Sequence, residues 1–241
     1  MKHLAQCQMK IKKKILQDSK HSRPLSPSKL SKPSLYGVIQ GGPFEDLRIA
    51  SAKFVSDHDF FGSGIGGALV SKKKMHEILD WIRPHLDPEK PRHLFGIGTI
   101  DDIFNAVERG VDTFDCVTPT RLGRMGYVLV KSKVKSQKSK VHFNDIEMKA
   151  YKADQFRLDI TKSIFLTHKG PIDPSCQCFT CLNFSIGYLC HLFRSRELLG
   201  YRLATIHNLT FMADLMSEIR ESIQEGKFSS LKFLWLKKFE K

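Results

Sequence analysis

Between Leu35 and Val117 the chain repeats one local plan. An apolar run too short for a helix is closed by glycine, and a stretch with helical periodicity follows. Leu35 to Gln40 reads as a buried strand, followed by Gly41-Gly42 and a helix through about Asp57. Ser63 to Gly67 is a second strand, and Ser71 to Arg83 a helix with Met75, Ile78, Leu79 and Ile82 on one face. His93 to Ile97 is a third strand, and Thr99 to Arg109 its helix, with Ile103, Ala106 and Val107 facing inward. Thr113 to Val117 is the fourth. Repeated strand–helix units require a parallel sheet with right-handed crossovers, so the expected class is α/β. Gln40-Gly41-Gly42, Gly66-Gly67, Gly96, Gly98 and Asp115 all fall at the carboxyl ends of these strands. Folds of this kind gather ligands and catalysis at that end. Four parallel strands cannot close a barrel and leave open edges.

Outside this block the chain changes character. Residues 1–34 carry nine basic side chains against one acidic, and 17–34 are rich in Ser, Pro and Lys, the composition of a linker. Met1 to Leu16 is compatible with a short basic helix. Residues 35–126 are near neutral, 11 basic against 13 acidic, and 127–169 are basic again, 10 against 4. Tyr127 to Val130 and Val141 to Phe143 read as a lysine-rich hairpin, with irregular sequence up to Lys169. Residues 170–241 hold a cysteine cluster, helical patterns over Leu182 to Arg196 and Leu209 to Gln224, and a short closing helix within Phe228 to Phe239. A net charge of +14 concentrated beside a neutral core suits nucleic acid, where neutralised phosphates release counterions. Solvated lysine-rich segments are the plainer alternative. No run approaches the roughly 18 apolar residues of a membrane span, and the amino terminus lacks a secretory apolar core. The expectation is a soluble cytoplasmic protein with no membrane partner.

Cys176, Cys178 and Cys181 place three thiols within six residues, and His207 follows 26 residues after the last. Three sulfurs and one imidazole make a closed tetrahedral zinc set, structural because no position stays open for chemistry. On spacing, His168 and His191 compete for the fourth place. Cys7, Cys116 and Cys190 lie outside the cluster, and Cys190 reads as core.

Asp115 stands among apolar residues at a strand end, where a carboxylate is costly unless paired or used. Arg121 and Arg124 follow, three apart, in what reads as a loop set by Pro119 and Gly123. A carboxylate nucleophile beside a phosphate-binding loop would suit chemistry on a nucleic-acid sugar. An ion pair holding the loop is the alternative.

Taken together, YGVIQGGPFEDLR, GIGGALV, HLFGIGTIDDIFNAVERGVDTFDCVTPTRLGRMG, PIDPSCQCFTC and LATIHNLTFMADLMSEIR resemble the tRNA-guanine transglycosylase family, specifically bacterial queuine tRNA-ribosyltransferases. The resemblance runs from about Leu35 to Phe228, broken by the lysine-rich stretch. It implies a partial (β/α)8 barrel, about the last four strand–helix units, with a zinc-binding subdomain inserted or appended. The corresponding divisions are a basic segment and linker at 1–34, the second half of the barrel at 35–126, a lysine-rich insertion at 127–169, and the zinc subdomain with terminal helices at 170–241. The implied reaction exchanges guanine at the tRNA wobble position for a 7-deazaguanine base, a queuosine precursor, on tRNAs with a GUN anticodon. Asp115 would be the nucleophile that forms a covalent ribosyl intermediate. Gln40 would bond the purine edge, Gly66 and Gly67 would lie against the base, and Phe95 and Gly96 would floor the pocket. Arg121 and Arg124 would contact the tRNA, and Cys176, Cys178, Cys181 and His207 would hold the zinc, His207 now being singled out as the fourth ligand.

The sequence also departs from the family. The part of the barrel that precedes the stretch matching Leu35 carries an aspartate general base and a second aspartate that reads the purine. Asp18, the single acid of residues 1–34, matches neither. Ala68 stands where leucine is usual, which would loosen the pocket. Activity would then need a complementing barrel half, beside the family's homodimer. The alternative is a truncated, inactive zinc- and tRNA-binding remnant, or one piece of a split enzyme. A non-catalytic partner subunit would have no need to keep Asp115.

Overall fold

The computed structural model describes residues 33–67, 71–131 and 156–236. The expected amino-terminal helix, the strand Val141 to Phe143, Cys7 and Ala68 lie outside them. The chain divides into two compact units, one reaching Cys116 and the other starting at Val117.

In the first unit the expected alternation is present. Strands β1 (Tyr36–Ile39), β2 (Gly62–Ile65), β3 (Arg92–Leu94) and β4 (Thr113–Phe114) form one parallel sheet in the order β1-β2-β3-β4. The connecting helices are α1 (Glu45–Asp57), α2 (Lys72–Ile82) and α3 (Ile100–Glu108). Ser71 starts α2 by accepting the Lys74 N–H at 3.1 Å, which satisfies one of the open donors of the first turn. Ala52 and Val55 of α1, Met75, Ile78, Leu79 and Ile82 of α2, and Ala106 of α3 share one buried cluster with Ile39, Ile65 and Leu94 of the strands. All three helices therefore cover the same face of the sheet. Val38, one residue away from Ile39 and pointing oppositely, is half exposed.

All four expected strands end early, β1 by one residue, β2 by two, and β3 and β4 by three each. β3 stops at Leu94 because Phe95 and Gly96 turn, Gly96 having φ of 72°. β4 is two residues long, so Asp115 sits immediately beyond it.

The second unit departs further from expectation. Thr118–Arg124 is a helix, α4, and not a loop. Proline is tolerated in a first helical turn because that N–H has no intrahelical partner, and Val117 O accepts the Arg121 N–H at 2.9 Å. Gly123 is there for packing: a Cβ on it would come within 2.7 Å of Thr205 Oγ1. β5 (Tyr127–Leu129) pairs antiparallel with β6 (Arg157–Asp159), in a stretch that reads as irregular. The helix expected over Leu182 to Arg196 is two helices, α5 (Phe179–Asn183) and α6 (Ile186–Arg194). Phe184 between them is extended, and Ser185 caps α6 by accepting the Tyr188 N–H. The helix expected from Leu209 begins at Leu198 and runs 27 residues to Gln224 as α7; α8 (Phe228–Leu236) closes the described chain.

Candidate active site and metal centre

The carboxyl ends of β1 and β2 are tied together by Arg48. It lies on the same face of α1 as Ala52 and Val55 and is fully buried. Its guanidinium donates to the carbonyls of Gly42 (2.8 Å), Ile39 (3.3 Å), Gly66 (2.6 Å) and Gly67 (2.9 Å). A planar fork with five donors suits four carbonyls spread over two strand ends, whereas the ammonium of lysine has only three donors. In a trans peptide the C=O and the next N–H point oppositely, so a Gly66 carbonyl fixed on Arg48 turns the Gly67 N–H away from it. Gln40 follows β1, and its side-chain amide lies over this peptide. A Cβ on Gly66 would fall 2.4 Å from Gln40 Nε2, and one on Gly67 would fall 2.7 Å from Gln40 Oε1. Gly67 also has φ of 60°, which L side chains rarely adopt. Gln40, Gly66 and Gly67 are therefore brought together as one polar surface.

Asp115 sits at the same end of the sheet, with its side chain mostly exposed. Gly96 N–H and His93 Nε2 both reach its Oδ1 at 3.1 Å. The Gly96 N–H holds the carboxyl below the usual carboxylate range; partial burial opposes this, and His93 adds to the lowering. Phe95, itself 40% exposed, places its ring edge-on to His93 with centroids 4.8 Å apart. Phe95, Gly96 and Asp115 are thus one contiguous group. The ion pair that was the plainer reading of Asp115 is instead a contact with His93.

In the second unit Arg121 and Arg124 are both exposed on α4, three residues apart and so on one helix face. Cys176, Cys178, Cys181 and His207 converge, with one ligand atom from each within 4.8 Å of all the others. His207 Nδ1 lies 3.7, 3.7 and 3.3 Å from the three sulfurs. In a tetrahedron with metal–sulfur bonds of about 2.3 Å and metal–nitrogen bonds of about 2.0 Å, that edge is about 3.5 Å. The cluster could hold a metal ion. Cys178 also caps α5, its Sγ accepting the Cys181 N–H at 3.4 Å. His207 Nε2–H donates to Leu129 O at 2.8 Å, which turns Nδ1 toward the thiols, an outer contact typical of metal-bound imidazole. His168 Nδ1 instead accepts the Gly170 N–H, and Cys190 is buried with its Sγ 3.3 Å from Lys162 O, as a core residue should be.

Next to His207, Asn208 is fully buried and fully used. Its Oδ1 accepts the Leu129 N–H at 2.8 Å, and its Nδ2 donates to Pro119 O and Tyr127 O at 3.0 Å each. One amide thus fixes β5 and the start of α4 to α7.

A family model described as queuine tRNA-ribosyltransferase matches residues 4–241. The chain belongs to the queuine tRNA-ribosyltransferase family. The match includes residues 4–34, ahead of Leu35 where the resemblance read from motifs begins. An Archaeoglobus fulgidus relative is 46% identical over 204 residues, covering 84% of this chain and 47% of the relative. A Roseiflexus sp. protein named queuine tRNA-ribosyltransferase is 42% identical over 204 residues, covering 84% of this chain and 46% of its own length. One from Herpetosiphon aurantiacus with the same name is 40% identical over 209 residues, covering 86% and 47%. The chain spans about half the length of the curated relatives it matches. Among the described residues, no helix is long and apolar enough to cross a membrane.

Two residues at these strand ends, Arg48 and His93, fall outside the site expected from the sequence. Arg48 had a signal: it shares the helical stripe of Ala52 and Val55, where a charged residue marks a buried polar contact. His93 had none, since a histidine in a short strand is unremarkable by pattern.

Proposed function

We propose that this chain carries the nucleophile and base-reading groups of a tRNA-guanine transglycosylase, exchanging a wobble guanine for a 7-deazaguanine through an Asp115–ribosyl intermediate. The observation that carries the proposal is Asp115 itself. It is accessible, held in its charged form by the Gly96 N–H, and shares one sheet end with Gln40 and the Gly66–Gly67 peptide. A carboxylate nucleophile divides one displacement at an anomeric carbon into two, as in retaining glycosyl transfer. Gln40 and the Gly67 N–H supply polar contacts to a purine edge, and a base that leaves such groups unpaired is rejected. Phe95 and Gly96 floor the pocket.

The architecture we infer is part of a (β/α)8 barrel. A doubly wound sheet reverses its strand order and carries helices on both faces. Here the order is sequential and one face is covered. We assign residues 1–34 to a basic leading segment, 35–126 to the barrel portion, 127–169 to a lysine-rich insertion, and 170–241 to the zinc subdomain. Zinc is the metal that suits three thiolates and an imidazole in a closed set, and its role would be structural. Arg121 and Arg124 would meet tRNA phosphates near a GUN anticodon. A second copy or a complementing barrel half is the protein partner, and the cytoplasm is the place of action.

The test is incorporation of labelled guanine into unmodified tRNA with a GUN anticodon by the purified chain mixed with a complementing barrel half taken from a family relative, beside Asp115→Ala. Exchange that the substitution abolishes is the expected result. Exchange that persists in Asp115→Ala, or none from a folded, metal-loaded and complemented wild-type chain, would overturn the proposal.

A further inference from the structure

The proposed reaction needs one carboxylate oxygen of Asp115 to attack and the other to stay behind as the carbonyl oxygen of an ester. The surroundings of Asp115 distinguish the two. Gly96 N–H and His93 Nε2 converge on Oδ1, each at 3.1 Å, leaving Oδ2 outside both hydrogen bonds. An ionised carboxylate only accepts, so Nε2 carries the hydrogen, and in the neutral ring Nδ1 is then an acceptor. Thr113 Oγ1 lies 2.9 Å from Nδ1 and fits as its donor. The Phe95 ring stands edge-on to the imidazole and restricts its rotation. One histidine is therefore held by β4 through Thr113 and by the turn after β3 through Phe95, and it is aimed at the carboxylate between them.

We propose that His93 is a positioning residue for Asp115: with the Gly96 N–H it anchors Oδ1 and leaves Oδ2 as the oxygen that attacks ribose C1′. This rests on the transfer reading given above. Oδ2 forms its bond to C1′ as the C1′–N9 bond breaks, and the electron pair of that bond leaves with guanine, which takes a proton from water. The carboxylate becomes an ester whose carbonyl oxygen, Oδ1, keeps both donors. In the second half the incoming base loses its N9 proton to water and attacks C1′, and the C1′–Oδ2 pair returns to the carboxylate. A carboxylate free to rotate would offer either oxygen, and either lone-pair direction, to the sugar. Two donors on one oxygen remove that freedom before tRNA arrives, which is how a positioned group lowers a barrier.

The test uses the full chain and its His93→Phe and His93→Gln variants, each supplied with a complementing barrel half from a family relative for the transfer step, with two measurements on each. The first is the pH titration of the Asp115 carboxyl carbon by NMR, which needs no turnover. The second is the rate of adduct formation with unmodified tRNA, together with KM for guanine. His93→Phe keeps a flat ring and loses the donor. It is expected to move the titration of Asp115 upward and to slow adduct formation by roughly tenfold, the scale of one hydrogen bond to a charged group. KM for guanine should stay within about twofold, because the contact is to the nucleophile and not to the base. His93→Gln, which restores an N–H, should recover both. A His93→Phe chain that holds its metal and titrates at Asp115 where wild type does would overturn the role of His93. Absence of adduct from the complemented wild-type chain would instead overturn the transfer reading, and with it the assignment of Oδ2.

Discussion

The two units hold their polar groups in opposite ways. Before Val117 the site groups are exposed at strand ends: Gln40, Gly67, Phe95, Gly96 and Asp115 all face solvent, and one buried arginine braces part of the loop backbone behind them. After Val117 the decisive groups are inside. His207 and Asn208 are buried and bonded, and only Arg121 and Arg124 look outward. An exposed carboxylate costs the fold little and is free to react. A buried imidazole or amide must find every partner or destabilise the fold by several kcal/mol. Damage in the first unit should therefore appear as lost chemistry, and damage in the second as lost stability.

Asp115→Ala should give the largest effect and the sharpest form of that contrast. Exchange should fall at least about a thousandfold, while thermal unfolding stays where it was. A clear fall in melting temperature would break the comparison, by showing that Asp115 also supports the fold.

Removal of the candidate metal ligands is the mirror case. Cys181→Ala, or treatment with a strong chelator, should unfold the second unit at temperatures where wild type stays folded. Free metal-binding energies in small zinc sites run to about 10 kcal/mol or more and act as folding energy. Calorimetry with metal analysis checks this, and an unchanged transition would contradict it. Burial disfavours a charged His207, but hydrogen bonds with the sulfurs of Cys176, Cys178 and Cys181 outweigh it and push the imidazole up to about 12.

Arg48→Met tests the boundary between the two behaviours, because it removes a buried brace from the exposed site. Four carbonyls lose their donor, so we expect a loss of about 3 kcal/mol in urea unfolding. We also expect a raised KM for guanine as the Gly66–Gly67 peptide relaxes. Lost stability with KM unchanged would make Arg48 purely structural. The smallest effect belongs to Arg121→Ala and Arg124→Ala. Each should lower the salt dependence of tRNA binding by about one phosphate contact, with no change in melting temperature. An undiminished salt slope would remove these arginines from the interface.

Legibility followed the same division. The strand–helix alternation before Val117 could be read because the apolar side chains of α2 and α3 recur at helical spacing and the strands end in glycine. Asp115 could be read because a carboxylate among apolar residues stands out. α4 was hidden because Pro119 and Gly123 both suggest a loop; one in fact starts a helix, and the other lets it approach Thr205. The first half of α7 was hidden because its buried face mixes Leu203 and Ala204 with Gly200, His207 and Asn208 and so makes no continuous apolar stripe. Polar burial has no periodic signature, and the contacts of Asn208 with Pro119 and Leu129 span 89 and 79 residues. His93 is hidden for a related reason: its meaning lies in Asp115, 22 residues on, and in Thr113, across the sheet from it.

In the proposed transfer Asp115 supplies the oxygen that bonds to ribose. The decisive measurement is to mix the metal-loaded chain and a complementing barrel half with unmodified tRNA bearing a GUN anticodon, denature, and map the protein–RNA adduct by mass spectrometry. A ribosyl adduct on the peptide carrying Asp115, absent from Asp115→Ala, is expected. An adduct on any other residue, or none from the folded and complemented wild-type chain, would overturn the role of Asp115.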